Sequence, residues 1–296
     1  MKRQIVLDHS AGIKRLKVLT NRLVNSQIIG GYRSVFKGRG LEFTDYRHYT
    51  PNDDASMIDW KASVRSKELL IKNFSEERNL NVFFLIDFSS SMLHTSEEKL
   101  KIEYAIELVA TLSYAVLQAG DSVSYAFFND KIILHEPPNQ GLKQYYKLAR
   151  ILIDTKYYGG NYNLEAALKF SLAFLKEFSI VIIVSDFIGL KGDWKRYLKM
   201  VGKKYDLIGV MVRDRIDKEL PDYDGKVILG DVYSNNRIIA DISSIKAPYA
   251  NYVKANEREI KGAFVDAKGD FLELRTDQQF ITPLADLFMS RTKRIR

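Results

Sequence analysis

The chain of 296 residues has a formal net charge of +8, is 46% hydrophobic and contains no cysteine. The absence of cysteine excludes disulfide bonds, thiolate metal sites and thiol catalysis, and it fits a reducing compartment, so a cytoplasmic location is expected. The length suffices for one large core or for a domain with a substantial extension. Neither a secretory signal nor an apolar stretch that could span a bilayer is evident.

The positive charge comes from residues 1–40, which hold nine basic side chains and one acidic one, whereas the rest of the chain is balanced. Apolar residues such as Ile13, Leu16 and Leu23 predict a helix over residues 9–28 with a basic opposite side. We expect this helix to dock on its own protein through the apolar side. The alternative is an association of residues 1–40 with a membrane surface or with nucleic acid, nucleic acid being the less expected of the two.

The following segment, residues 31–78, is rich in side chains of both charge signs. These are Glu42, Asp45, Arg47, Asp53, Asp54, Asp59, Arg65, Glu76, Glu77 and Arg78. We interpret them as a network of ion pairs and hydrogen bonds that ties an N-terminal extension to the domain behind it, because structural networks also gather charges. The alternative is a catalytic cluster near residues 53–59. Residues 69–74 predict a strand of this extension.

An unbroken apolar run, Val82–Ile86, is followed by Asp87, Ser89 and Ser91. Such a run predicts a strand that is buried on both faces of a parallel sheet. Ligands bind at the carboxyl ends of the strands in open α/β sheets. Alternate residues of an extended segment point the same way, so the three oxygen-bearing side chains are expected to converge. One carboxylate and two hydroxyls are hard oxygen ligands of the kind that suit Mg²⁺.

The rest of the chain alternates between helical and strand patterns. Helices are predicted over residues 97–118, 142–154, 164–176, 194–203, 249–263 and 283–289, and residues 291–296 are expected to form a frayed basic tail. Strands are predicted over residues 122–128, 131–136, 180–186, 206–212, 227–229, 237–239 and 271–274. Residues 131–136 are expected to be an antiparallel edge strand that stops at Pro137 and Pro138. The alternation predicts an α/β fold with a doubly wound, mostly parallel sheet.

Two motifs give the chain a resemblance to known families. Asp87-Phe88-Ser89-Ser90-Ser91 after a buried strand resembles the metal-ion-dependent adhesion site of von Willebrand factor A domains. Upstream lie residues 40–54 (GLEFTDYRHYTPNDD), Ile58-Asp59-Trp60 and Ser75-Glu76-Glu77-Arg78. This combination is similar to the bacterial domain-of-unknown-function family 58, whose members carry such a segment just before an A-type domain.

The resemblance implies a division of the chain into two parts. Residues 1–79 would form the basic helix and the family-specific extension, and residues 80–296 would form a von Willebrand factor A-like domain. Family members often carry membrane spans ahead of this region, so the chain is expected to be a short, soluble version. The family usually has Gly at the position of Asn52 and Arg at the position of Ser56.

In A-type domains, two further loops complete the metal site. One contributes an Asp at the end of a later strand, and Asp186 matches that place. The other contributes a Thr in Gly-Gly-Thr-x-Leu, whereas this chain has Gly159-Gly160-Asn161-Tyr162-Asn163-Leu164. Counting from the glycines places Asn161 there, and counting back from Leu164 places Tyr162.

The resemblance therefore implies a weak Mg²⁺ site, with Mn²⁺ and Ca²⁺ as other candidates. Its ligands would be Asp87, Ser89, Ser91, Asp186 and Asn161. Because Mg²⁺ commonly keeps several waters, the missing Thr does not exclude the site. The alternative is that the two aspartates only accept hydrogen bonds from their own loops.

Motifs typical of enzymes are scarce in this sequence. It contains no His-Glu-x-x-His, no phosphate loop and no Gly-x-Ser-x-Gly elbow, and its four histidines are scattered. We therefore expect a non-enzymatic protein–protein interaction module in which the metal accepts a carboxylate from a partner. The family resemblance implies a MoxR-type AAA+ ATPase as the partner, in the assembly or maturation of other proteins. A Mg²⁺-dependent hydrolase is the alternative.

Overall fold

A six-stranded, mostly parallel sheet forms the centre of the protein in the computed structural model. In chain order the strands are β1 (Glu42–His48), β2 (Leu70–Ser75), β3 (Asn81–Asp87), β4 (Ser122–Phe128), β5 (Ile132–Asn139), β6 (Ser179–Ser185), β7 (Asp206–Arg213), β8 (Lys226–Gly230), β9 (Arg237–Asp241) and β10 (Asp270–Arg275). The central sheet has the order β10-β7-β6-β3-β4-β5, in which only β5 is antiparallel to its neighbour. The predicted α/β fold with a mostly parallel sheet is confirmed.

The structure describes residues 16, 20, 32, 42–51, 53–75, 80–176, 179–222, 225–234 and 236–295. The predicted helix over residues 9–28 therefore lies outside the described residues except for Leu16 and Thr20. Both of these, and Tyr32, are helical and buried. Asn52, residues 76–78 and Arg296 also lie outside the described residues.

Helices cover both faces of the central sheet. They are α2 (Lys101–Gln118), α3 (Gly141–Leu152), α4 (Leu164–Phe174), α5 (Trp194–Lys204), α6 (Ile242–Asp266) and α7 (Ile281–Ile295), whereas α1 (Trp60–Ser66) lies in the segment before the sheet. Side chains of β3 alternate between the two layers, because successive residues of a strand point to opposite faces. Phe84 and Ile86 join the core beneath α2, α3 and α7, whereas Phe83 and Leu85 join the core beneath α4, α5 and α6. Of the helices that the structure describes, none is long and apolar enough to cross a bilayer.

Helix α2 begins four residues later than the predicted start at residue 97. The hydroxyl of Thr95 and the backbone N–H of Ser96 donate to the Asp214 carboxylate at 2.6 and 3.0 Å. These bonds hold the segment before the helix in a non-helical conformation. The backbone N–H of Leu100 then donates to the Glu103 carboxylate at 2.9 Å, which marks the true helix start.

Other predicted boundaries were also wrong. Strand β5 continues through Pro137 and Pro138 to Asn139, because an edge strand tolerates a missing N–H donor. Helix α6 begins at Ile242 instead of residue 249, since the Asp241 carboxylate accepts from the N–H of Ser243 at 3.0 Å and caps it there. The tail from residue 291 is not frayed at its start, because α7 continues to Ile295.

The C-terminal helix is held by two ion pairs of Arg291 at the amino end of the sheet. Arg291 donates through Nε to Asp270 Oδ2 at 2.6 Å and also pairs with Asp206. The two aspartates lie at the starts of β10 and β7. The tail that was expected to be frayed thus begins with a mostly buried arginine that is attached to the sheet.

The segment before the sheet forms a small unit of β1, β2 and α1, and its strand β2 confirms the prediction for residues 69–74. Arg47 forms a two-bond ion pair with Asp53 at 2.6 and 2.7 Å. The carboxylates of Asp54 and Asp59 accept backbone N–H bonds at the starts of a 3-10 turn and of α1. These described contacts lie inside the segment, and the predicted tie between the extension and the following domain stays a prediction.

Candidate functional site

Three loops meet at the carboxyl edge of the central sheet. They follow β3, precede α4 and follow β6. Backbone bonds join the first two, because Gly159 N donates to Phe88 O at 2.7 Å and Ser90 N donates to Gly160 O at 2.9 Å. A side-chain bond joins the first and the third, because the Ser185 hydroxyl donates to Asp87 Oδ2 at 2.7 Å. The edge is therefore the meeting point that the sequence predicts.

Asp87 ends β3 and is fully buried. Its Oδ1 accepts from the N–H of Ser89 at 2.8 Å, and its Oδ2 accepts from the Ser185 hydroxyl. Burial and then the nearby charge of Asp186 raise the pKa of the Asp87 carboxyl to about 7, although these hydrogen bonds act in the opposite direction. Two buried carboxylates thus stand close enough to repel each other.

The hydroxyls of Ser89 and Ser91 converge as predicted, with 3.2 Å between their oxygens. Both hydroxyls also contact the phenol of Tyr233, at 3.2 Å for Ser89 and 2.8 Å for Ser91. The same phenol donates to the backbone carbonyl of Ile188 at 3.0 Å. Tyr233 lies in the loop between β8 and β9, and the sequence analysis did not identify it.

Asp186 lies beside these groups and is also fully buried. Its Oδ1 accepts from the N–H of Ile188 at 2.9 Å, and its Oδ2 accepts from the ammonium of Lys101 at 2.7 Å. The same ammonium donates to Asp217 Oδ2 at 2.8 Å. Burial lowers the pKa of the Lys101 ammonium, but the charges of Asp186 and Asp217 more than offset burial, so the pKa is raised overall.

Lys101 is the second residue of this site that the sequence analysis missed. Its side chain is only 1% exposed, although lysine is almost never fully buried without a partner. A signal exists in the spacing, since Lys101 is in line with Ala105, Leu108 and Leu112 on the buried side of α2. A lysine that interrupts an apolar stripe indicates a buried partner of opposite charge.

The loop before α4 presents Tyr162 to the site and leaves Asn161 exposed. The Tyr162 phenol lies 3.2 Å from the Ser185 hydroxyl, which in turn donates to Asp87. Counting back from Leu164 therefore describes the loop correctly. Gly160 has a φ of 96°, and a Cβ there would lie 2.5 Å from Asn129 Nδ2, so glycine is required at this turn.

The donor atoms of the site are largely engaged by other groups and leave little room for the magnesium ion that the resemblance implies. Four of the five predicted ligands meet, but the Lys101 ammonium occupies one oxygen of Asp186 and the Tyr233 phenol occupies the two serine hydroxyls. Within the described ranges, no group of three or more His, Cys, Asp or Glu side chains is arranged to hold a metal. With the Lys101 ammonium on Asp186, the arrangement does not fit Mg²⁺, and the Tyr233 phenol also occupies the serine hydroxyls, so metal binding stays a prediction.

The comparisons with known proteins agree with the family motifs. The model of the family described as "Protein of unknown function DUF58" matches residues 45–259. The chain is 21% identical over 289 residues to an uncharacterized protein of Mycobacterium tuberculosis, covering 96% of this chain and 90% of that protein. It is 32% identical over 81 residues to the uncharacterized protein YeaD of Bacillus subtilis, covering 27% of this chain and 18% of that protein.

Two solved structures are similar to this one. The conserved hypothetical protein BatB from Bacteroides thetaiotaomicron has a TM-score of 0.45 and 15% identity, covering 73% of this chain and 99% of that chain. An aerotolerance-related membrane protein from Bacteroides fragilis has a TM-score of 0.48 and 14% identity, again covering 73% of this chain and 99% of that chain. Since the family match extends over well more than half of the 296 residues, the protein belongs to the DUF58 family of proteins of unknown function.

Proposed function

We propose that the protein is a non-enzymatic module for protein–protein interaction. The observation that carries this proposal is an exposed apolar pair on the β8–β9 hairpin. Ile228 and Ile239 are partners directly across the two strands, and they are 65% and 73% exposed. Side chains that are directly opposite in an antiparallel pair lie on the same side, so the two form one apolar surface. An exposed apolar surface with a polar surround is typical of a protein-binding site.

The hairpin is connected through its own loop to the strand-end site, which is formed by Asp87, Ser89, Ser91 and Asp186 at the carboxyl edge of the sheet. The loop that follows β8 contains Tyr233. The phenol of Tyr233 contacts the hydroxyls of Ser89 and Ser91 after β3. A partner that covers Ile228 and Ile239 would therefore lie next to the loops of the candidate site. This continuity supports a single docking surface that includes the hairpin and the carboxyl edge of the sheet.

The contacts of the acidic side chains support a non-enzymatic role. Asp87 and Asp186 accept hydrogen bonds from their own loops, and Lys101 neutralises Asp186. In the extension, the carboxylate of Asp53 accepts from Arg47, and those of Asp54 and Asp59 cap helical turns. Carboxylates that are engaged in this way supply structure instead of a free general base.

The proposed partner is a MoxR-type AAA+ ATPase, and the role is that of an adaptor in the assembly or maturation of other proteins. This identity rests on the family resemblance. The proposed contact does not require the Mg²⁺ that the family resemblance implies, since a partner can cover the hairpin without coordinating a metal.

The test is a binding measurement between the full chain and the purified MoxR-type ATPase of the same organism. We expect the double substitution Ile228→Ser with Ile239→Ser to weaken binding at least tenfold, or about 1.4 kcal/mol, because the apolar contact is lost. Val265→Ser is the matched control, since Val265 is 63% exposed on α6 and lies outside the hairpin. Equal binding by the wild type and the double variant would contradict the proposed surface.

A hydrolase assay separates the proposal from its alternative. The full chain is incubated with phosphate monoesters and with nucleic acid in the presence of Mg²⁺, alongside Asp87→Ala. Hydrolysis by the wild type that disappears in Asp87→Ala would overturn the non-enzymatic proposal. We expect neither protein to hydrolyse these substrates.

A further inference from the structure

The most unusual buried group of the described chain is the ammonium of Lys101. Its side chain is 1% exposed and donates to Asp186 Oδ2 at 2.7 Å and to Asp217 Oδ2 at 2.8 Å. Two carboxylates from different loops therefore share one cation. A buried charge without such partners would be strongly destabilising, so the contacts explain how lysine is accommodated here.

Lys101 lies at a position of α2 where the helix itself does not favour a lysine. It is the first residue of α2, where the helix dipole disfavours a positive charge. It also points to the buried side of the helix, where the neighbours Ala105 and Leu108 are apolar. Both tendencies oppose a lysine at this position, and only the aspartates after β6 and β7 favour it.

The serine hydroxyls of the site are covered by Tyr233, which lies in the loop between β8 and β9. The phenol of Tyr233 contacts Ser89 and Ser91 and donates to the carbonyl of Ile188. The ring packs against Gly189, where a Cβ would lie 2.7 Å from Tyr233 Cε2. The phenol thus occupies the space in which the predicted ligand oxygens would face an ion.

We propose that the Lys101 ammonium is the resident cation of the strand-end site and takes the place of the divalent metal that the family resemblance implies. Mg²⁺ binds carboxylate oxygens at about 2.1 Å, so an ion on Asp186 would lie directly against the ammonium. The two cations repel each other at that separation. With Lys101 in place, the loops after β3 and β6 are held together without a divalent ion.

The inference does not depend on the proposed partner, because it concerns the folded chain alone. The substitution Lys101→Met removes the charge and keeps an unbranched apolar side chain. In the wild type, neither millimolar MgCl₂ nor EDTA should change the melting temperature. In Lys101→Met, the melting temperature in EDTA should fall, and MgCl₂ should restore part of the loss, because a divalent ion now meets unpaired carboxylates.

Lys99→Met is the matched control. Lys99 lies two residues earlier, is 40% exposed and pairs with Glu107 at 2.7 Å. Its substitution should change the melting temperature little and should create no response to Mg²⁺. The proposal is overturned if Mg²⁺ stabilises the wild type as strongly as Lys101→Met, or if the two methionine variants behave alike.

If Lys101→Met fails to fold, a second measurement tests whether the wild-type protein has a divalent metal site. Mn²⁺ binding to the wild-type chain is measured by electron paramagnetic resonance, with Asp87→Ala as the reference. We expect the same weak, nonspecific binding for both proteins. Binding of one Mn²⁺ per chain that is at least tenfold weaker in Asp87→Ala would show a working metal site, and Lys101 would not be its cation.

Discussion

At the scale of single residues, the geometry around Tyr233 depends on one glycine. Gly189 follows β6 with a φ of 89°, a conformation that a side chain rarely adopts. It also leaves the space that the Tyr233 ring fills. The phenol reaches Ser91 because this position carries no side chain, so Gly189 controls how the β8–β9 loop meets the strand-end site.

We predict that Gly189→Ala lowers the free energy of unfolding by about 1–3 kcal/mol, because the new methyl group strains the backbone and displaces the ring. Urea denaturation of the full chain measures this change. Gly262→Ala is the control, since Gly262 lies in α6 with nothing within 4 Å of its position for a Cβ. That substitution should raise stability by about 0.5–1 kcal/mol, because alanine favours a helix over glycine. Equal effects of the two substitutions would refute the packing argument.

At the scale of the elements, Asp214 ties the end of β7 to the segment before α2. Its carboxylate accepts from the hydroxyl of Thr95 at 2.6 Å and from the backbone N–H of Ile216 at 2.9 Å, as well as from Ser96. Burial raises the pKa of the Asp214 carboxyl, but the bonds from Ser96 and Thr95 and that from Ile216 outweigh it, so the pKa lies below its ordinary value. The ionised carboxylate therefore positions the start of α2, and with it Lys101.

We predict that Asp214→Ala lowers the free energy of unfolding by about 2–4 kcal/mol at neutral pH, because charge-assisted hydrogen bonds are lost. A depressed native pKa gives stability that is present above the unfolded value of about 3.9 and is lost as the pH falls. The wild type should therefore lose more stability than the variant on acidification below pH ~4. Denaturation curves at several pH values measure both effects.

Asp130→Ala is the control for this experiment, since Asp130 lies exposed in the turn between β4 and β5. Its substitution should change stability by less than about 0.5 kcal/mol. If Asp214→Ala and Asp130→Ala have the same stability and the same pH dependence, the hydrogen bonds of Asp214 do not stabilise the protein as proposed.

At the scale of the whole molecule, the sheet was predictable because its strands carry strong local patterns. Strand β4 has the predicted bounds, and β3, β6 and β7 differ by one or two residues at their ends. The meeting of Asp87 and Asp186 followed from the rule that parallel strands end at the same edge. The fold class and the location of the candidate site were thus within reach of the sequence.

The groups that close the site were not predictable from local patterns. Tyr233 and Ser91 are 142 residues apart in the chain, and a local hydrophobic pattern does not predict a contact over that distance. The place of Lys101 in the apolar stripe of α2 indicates a buried partner, but it does not identify Asp186 and Asp217, which lie in loops far along the chain. The extra residue before α4 led the sequence analysis to place Asn161 among the ligands, whereas the packing of the loop brings Tyr162 to the site.

The N-terminal segment takes part in the core at the residues where the structure describes it. Leu16 and Tyr32 are 5% and 3% exposed and belong to the core on the α2 side of the sheet. The Tyr32 phenol donates to Asp121 Oδ2 at 2.7 Å, and its ring meets that of Phe288 edge-on at 6.3 Å. These contacts favour the interpretation that the segment docks on its own protein.

We predict that Tyr32→Ala lowers the free energy of unfolding by about 3–5 kcal/mol, because an aromatic ring and a buried hydrogen bond are lost together. Tyr252→Ala is the matched control, since Tyr252 is 70% exposed on α6, and it should change stability by less than about 0.5 kcal/mol. Urea denaturation of both variants gives the comparison. A segment that served only to contact membranes would leave the stability of the free protein unchanged by Tyr32→Ala, and that result would refute docking.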